Sequence, residues 1–133
     1  MPIDYVIDVN LRRVVATAHG TLTDADVFGY QRAVWSHPEV VGFDEIVDMT
    51  GVEHIDLPTP SGERMRALAA LSAAMDDVAP SRFAIVAPTD AVFGLARMYG
   101  AYRQSESRST KEVRVFRSME DARAWLGEDR DAG

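Results

Sequence analysis

The sequence predicts an α/β domain: an N-terminal β-hairpin, then alternating strands and helices, forming a mixed, mostly parallel sheet of about five strands with about four helices. Three observations predict it. Two apolar, β-branched runs, "IDYVIDV" and "RRVVATAHG", lie close together around Asn10 and read as a hairpin. Beyond them, short apolar runs alternate with stretches of helical periodicity, which implies right-handed crossovers between parallel strands. The run "RFAIVA" is almost wholly apolar, as expected of a strand covered on both faces.

The elements follow in order. In "TLTDADVFGYQRAVWSHP", Thr23 and Asp26 form a variant capping box, with Asp in place of the usual Glu. Val27, Tyr30, Ala33 and Val34 then recur at helical spacing, and Pro38 closes the helix. "DEIVDM" is a short strand. Met65, Leu68, Leu71 and Met75 predict the apolar stripe of a second helix, which Pro80 ends. Thr89 and Asp90 open a third helix after "RFAIVA", with Val92, Leu95, Ala96 and Tyr99 expected in the core and Arg97 and Arg103 in water. "EVRVF" is the last strand, and "SMEDARAWLG" a last helix, opened by Ser118 and Asp121 and stopped by Gly127. Trp35 and Trp125 fall on helices as core or interface anchors. No repeat or low-complexity linker divides residues 1–127, which read as a single domain, and 128–133 read as a flexible tail.

The totals narrow the function. A net charge of −7 over 133 residues repels phosphate backbones, so no nucleic-acid partner is expected. Without cysteine there is neither a disulfide framework nor a thiolate metal site, a composition compatible with a reducing cytoplasm. The uncharged apolar stretch from Ala67 to Met75 is too short to span a bilayer, and the N-terminus lacks the pattern of a signal peptide. His19, His37 and His54 are scattered, so no metal is expected. The glycines form no phosphate-cradling fingerprint, and no cofactor is expected.

In chain order, "VVATAHGTLT" is a hydrophobic strand ending in Gly-x-Leu, and "EIVDMTGVEHID" has the strand-and-turn form of STAS domains. "FAIVAPTDAVFGLARMYG" and "VRVFRSMEDARAWL" are similar to their next strand-helix unit and their closing one. Together these segments resemble the SpoIIAA-like anti-sigma-factor antagonists, nearest to the STAS-like branch grouped with the CRAL-TRIO lipid carriers. The resemblance implies a SpoIIAA/STAS-like sheet with helices packed on it. It also implies a non-enzymatic regulatory or binding module acting through protein–protein contact.

In such antagonists a Ser or Thr beside a Gly at the start of the second helix accepts a phosphate. The matching position here is Ser61, next to Gly62, with Thr59 as the alternative acceptor; "LPTPS" makes the spacing from Asp56 longer than the family's. A phosphate there would face the free N–H groups of a helix start and add about −1.5 to −2 charges to the surface. Equally, Thr59 reads as an N-cap with Pro60 in the first helical position, leaving Ser61 an ordinary first-turn residue. The expected partner surface is Asp48, Thr50, Asp56, Gly62, Thr89 and Asp90, at the carboxyl ends of parallel strands. Asp48, Asp56 and His54, with Ser61 nearby, lie close enough in sequence to suggest a triad, but no Gly-x-Ser-x-Gly elbow accompanies them. Arg103, Arg108 and Lys111 form a basic cluster that reads as a solvated loop or as a dock for an acidic partner. A homodimer patch of Trp35, Met98 or Tyr102 is a further expectation. The runner-up function is carriage of a small apolar or lipid-like ligand, which requires a cavity.

Overall fold

The computed structural model describes residues 2–56, 61–74, 80–106 and 110–127. The 128–133 tail lies outside them. Five strands, β1 (Ile3–Asp8), β2 (Arg13–Thr23), β3 (Asp44–Asp56), β4 (Ser81–Val86) and β5 (Lys111–Phe116), form one sheet in sequential order. β1 pairs antiparallel with β2, and every later pairing is parallel. Four α-helices connect or follow the strands: α1 (Asp24–Trp35), α2 (Ser61–Ala74), α3 (Asp90–Ser105) and α4 (Met119–Trp125). Both the hairpin and the alternation expected from the sequence are present.

Sequential order dictates the layers. Each right-handed crossover advances in the same direction across the sheet, so α1, α2 and α3 all land on one face. The main core forms there, from Val14, Ala16 and Ala18 of β2 and Phe83 and Ile85 of β4 against Val34, Met65, Leu68, Val92 and Tyr99 of the helices. α4 follows the last strand and covers part of the other face, where Ala122 and Leu126 pack on Ile46, Ala84 and Val86.

The caps behave as their residue types require. Thr23 accepts from the Asp26 N–H at 3.1 Å, and Asp26 accepts from the Thr23 N–H at 3.0 Å. Thr89 and Ser118 cap α3 and α4 through Val92 and Asp121. Gly127 ends α4 at φ 91°, a conformation that costs a side-chain-bearing residue free energy.

Three packing expectations need correction. Leu71 is 51% exposed; the buried face of α2 is Met65, Leu68, Ala69, Ser72 and Ala73, so the stripe steps by i+3 and i+4 and passes Leu71 by. Ala33 likewise faces water, while Gln31 is buried on α1. Arg103 is 2% exposed, not solvated, because its guanidinium lies against the Phe83 ring (5.2 Å) and donates to the Tyr99 hydroxyl one turn back (2.9 Å).

Candidate functional site

A cavity of about 80 Å³ lies between the sheet and helices α1–α3. Its floor is Ala18, Val47, Met49, Phe83 and Ile85, from three adjacent strands. Its roof is Val27, Met65, Leu68, Leu95 and Ala96. Ala18 and Ala96 explain the space: they are small residues at positions whose neighbours are large, and close packing does not fill what they leave. The surface presented to the cavity is almost wholly apolar.

Tyr30, Gln31 and Tyr99 also line the cavity, and their polar atoms belong to a buried network that no sequence motif marks. The Tyr30 hydroxyl donates to Glu45 Oε2 at 2.6 Å. Gln31 Nε2 donates to the Tyr99 hydroxyl at 3.1 Å, and the Ser72 hydroxyl lies 2.6 Å from Gln31 Oε1. With Arg103, these side chains tie β3, α1, α2 and α3 together. Burial, with the Glu45 carboxylate beside it, pushes the Tyr30 phenol well above its ordinary value of 10.0. Glu45 Oε1 has no hydrogen-bond partner among the described residues. Lys111 is also buried, its ammonium 3.7 Å from the centre of the Trp35 ring. The basic cluster is therefore not a solvated loop at either Arg103 or Lys111; Arg108 lies outside the described residues. The signals were present but faint: a glutamate inside the strand "DEIVDM", and a glutamine adjoining Tyr30 on α1's inner face.

Thr23 and Asp24, at the end of β2 and the start of α1, are part of the lining and are half-buried. There Asp24 Oδ2 accepts from Arg64 of α2 at 2.6 Å, a hydrogen bond that holds the Asp24 carboxyl below its usual value of 3.8. A wider depression lined by Gly62, Arg66, Ala67, Tyr102 and Glu106 lies between α2 and α3. It is open to solvent and carries charged side chains, so it encloses nothing.

The residues expected from the sequence to form a partner surface fall in three places: Asp48 and Thr50 midway along β3, Asp56 at its end, and Gly62, Thr89 and Asp90 at the starts of α2 and α3. Asp48 aligns with Val86, the last residue of β4. Its carboxylate accepts from the Thr50 N–H at 2.9 Å and from the Thr50 hydroxyl. Asp56 ends β3 and is exposed, and Gly62 is half-buried in the first turn of α2. Thr89 is occupied as the α3 cap, and Asp90 accepts from Arg117 at 2.8 Å. Asp48 and Thr50 thus form one hydrogen-bonded group, and Asp90 and Arg117 another, while Thr89 is bonded within its own helix start. Ser61 opens α2, and Thr59 lies outside the described residues. His54 is exposed on β3, opposite Thr21. Of the suggested dimer patch, Met98 is exposed, Tyr102 is half-buried with Arg66 stacked 5.1 Å from its ring centre, and Trp35 is half-buried beside Lys111. Among the described residues no group of three or more His, Cys, Asp or Glu could hold a metal ion, and no helix is long and apolar enough to cross a membrane.

No protein-family model matches the chain, and no curated protein matches it. A solved structure does: an uncharacterised protein of the DUF3478 family with a SpoIIAA-like fold, from Shewanella loihica PV-4. It is 19% identical, with a TM-score of 0.53 over 93% of each chain. At that identity the likeness shows the fold, and it agrees with the strand order, the mixed sheet and the four helices described above: the chain has a SpoIIAA-like fold.

Proposed function

We propose that the chain is a binding module, not a catalyst, and that its cavity takes a small, neutral, apolar molecule. The observation that carries this reading is the cavity, lined by aliphatic and aromatic side chains within the main core. At roughly 10–15 Å³ per water-sized atom, the space suits a molecule of about five to eight non-hydrogen atoms. Its polar lining side chains favour a neutral occupant. Tyr30, Gln31 and Tyr99 are already hydrogen-bonded, and the Asp24 carboxylate is bonded to Arg64. A charged ligand would lose its hydration without finding a partner inside.

Fluorobenzene, followed by its fluorine NMR signal, is a suitable probe. The wild type is expected to show a bound resonance, and Ala96→Leu, which fills the cavity from α3, to lose it. A wild type without a bound resonance, or an Ala96→Leu variant that keeps it, sinks the reading.

A second reading, contact with a protein partner, draws support from the polar carboxyl-end rim, where Thr50, Asp56, Thr89 and Asp90 are exposed and Ser61 opens α2. Phosphorylation by a kinase from the host would test it: Ser61→Ala should abolish incorporation, and full incorporation into that variant would exclude Ser61 as the acceptor. A cytoplasmic setting belongs to both readings and draws on the cysteine-free composition.

A further inference from the structure

Helices α1 and α2 are joined by side-chain bonds at two levels. Deep in the domain, Gln31 of α1 meets Ser72 of α2 at 2.6 Å, and both residues are buried. Nearer the surface, Asp24 of α1, which lines the cavity, meets Arg64 of α2 at 2.6 Å, with side-chain exposures of 20% and 49%. The two joints differ physically. Separating the inner one would strand buried polar groups without water, whereas the outer one exchanges a solvated ion pair for two solvated ions. The start of α1 is held to the end of β2 by the reciprocal Thr23–Asp26 bonds, so the Arg64 side of the outer joint is the less restrained one.

Resting on the small-ligand reading above, we propose that the Asp24–Arg64 pair is a latch across the cavity entrance: a neutral apolar molecule passes between α1 and α2 when the pair parts, and is retained when it re-forms. Asp24 belongs to the cavity wall, but Arg64 does not. Arg64 thus acts through Asp24 and has no contact with the occupant. Its loss changes how fast a ligand comes and goes, and leaves how tightly it is held.

Fluorine exchange NMR with fluorobenzene tests this on the intact chain. In Arg64→Gln, association and dissociation rates should both rise about threefold, the scale of a half-exposed ion pair, with Kd unchanged within about twofold on the same grounds. Arg64→Lys, which keeps the charge, should return the rates towards the wild type. Sodium chloride at about 1 M should speed exchange in the wild type and leave Arg64→Gln unaffected, because screening acts on the pair. Bound fluorobenzene whose rates ignore both Arg64→Gln and salt overturns the latch and leaves the small-ligand reading standing. A change in Kd alone would place Arg64 in the binding wall, and it also overturns the latch. A wild type with no bound signal removes the small-ligand reading and the latch with it.

Discussion

Glu45 is fully buried in the fold, and the Tyr30 hydroxyl is the donor that compensates its carboxylate for lost water. Tyr30→Phe should therefore cost about 1–3 kcal/mol, the penalty for leaving a buried acceptor short of a donor. The same pair sets a pH dependence. Folded, Tyr30 keeps its proton above pH 10.0; unfolded, it releases it near that value. Above that pH the unfolded chain binds fewer protons, so stability falls as pH rises; below it, this group contributes no slope. Urea midpoints measured between about pH 8 and 11 should fall more steeply in the wild type than in Tyr30→Phe, by up to about 1.4 kcal/mol per pH unit. Parallel slopes would contradict the assignment. Residue-scale features differ in how far they can be read from a sequence. The Thr23–Asp26 box is legible because both partners lie within one turn. Arg103 is not, because its partners include Phe83, brought to it from β4 by tertiary packing. Glu45 is hidden for the same reason, since its donor Tyr30 comes from another element.

At the scale of elements, periodicity located α2 and half of its inner face, Met65 and Leu68. Leu71 satisfies a pattern of large apolar residues, yet the rest of the buried face is built from smaller ones, Ala69, Ser72 and Ala73. Small residues let helices approach closely and carry little pattern signal of their own. The prediction is a contrast: Leu71→Gln should change stability by no more than about 0.5 kcal/mol, whereas Leu68→Ala should cost about 2–5 kcal/mol. Chemical denaturation of the two variants checks it, and equal losses would mean that the assigned face is wrong. The long strands carry a second hidden feature. β2 and β3 shift register near His19 and again after Gly20, and Gly51 faces the first shift. A Cβ at Gly51 would stand 3.1 Å from His19 Cβ and 3.3 Å from the Ala18 carbonyl oxygen. Gly51→Ala should therefore destabilise the fold and move the His19 amide resonance. An unperturbed spectrum would mean that the strands yield without strain. Nothing in the local sequence announces the irregularity, because a bulge is a property of two paired strands.

For the whole molecule, the alternation of strands and helices was enough to anticipate a mixed sheet with four helices, and the resemblance to SpoIIAA-like domains agrees with the fold observed. The cavity was not legible. Its space arises where Ala18 of β2 and Ala96 of α3 line the same volume, a juxtaposition that exists only after three crossovers have stacked their helices on one face. Of the candidate partner surface, the sequence order conveys only the placing of Asp56 at the end of β3 and of Thr89 and Asp90 at the start of α3; that Asp48 and Thr50 lie beside the end of β4 is a matter of strand register. Xenon offers the most direct test of the central claim, because an apolar cavity in a protein interior binds it without need of polar partners. In crystals pressurised with the gas, the account predicts xenon density bounded by Ala18, Met49, Leu68 and Ala96. A space that collapses, or one filled by ordered waters that xenon does not displace, would contradict it.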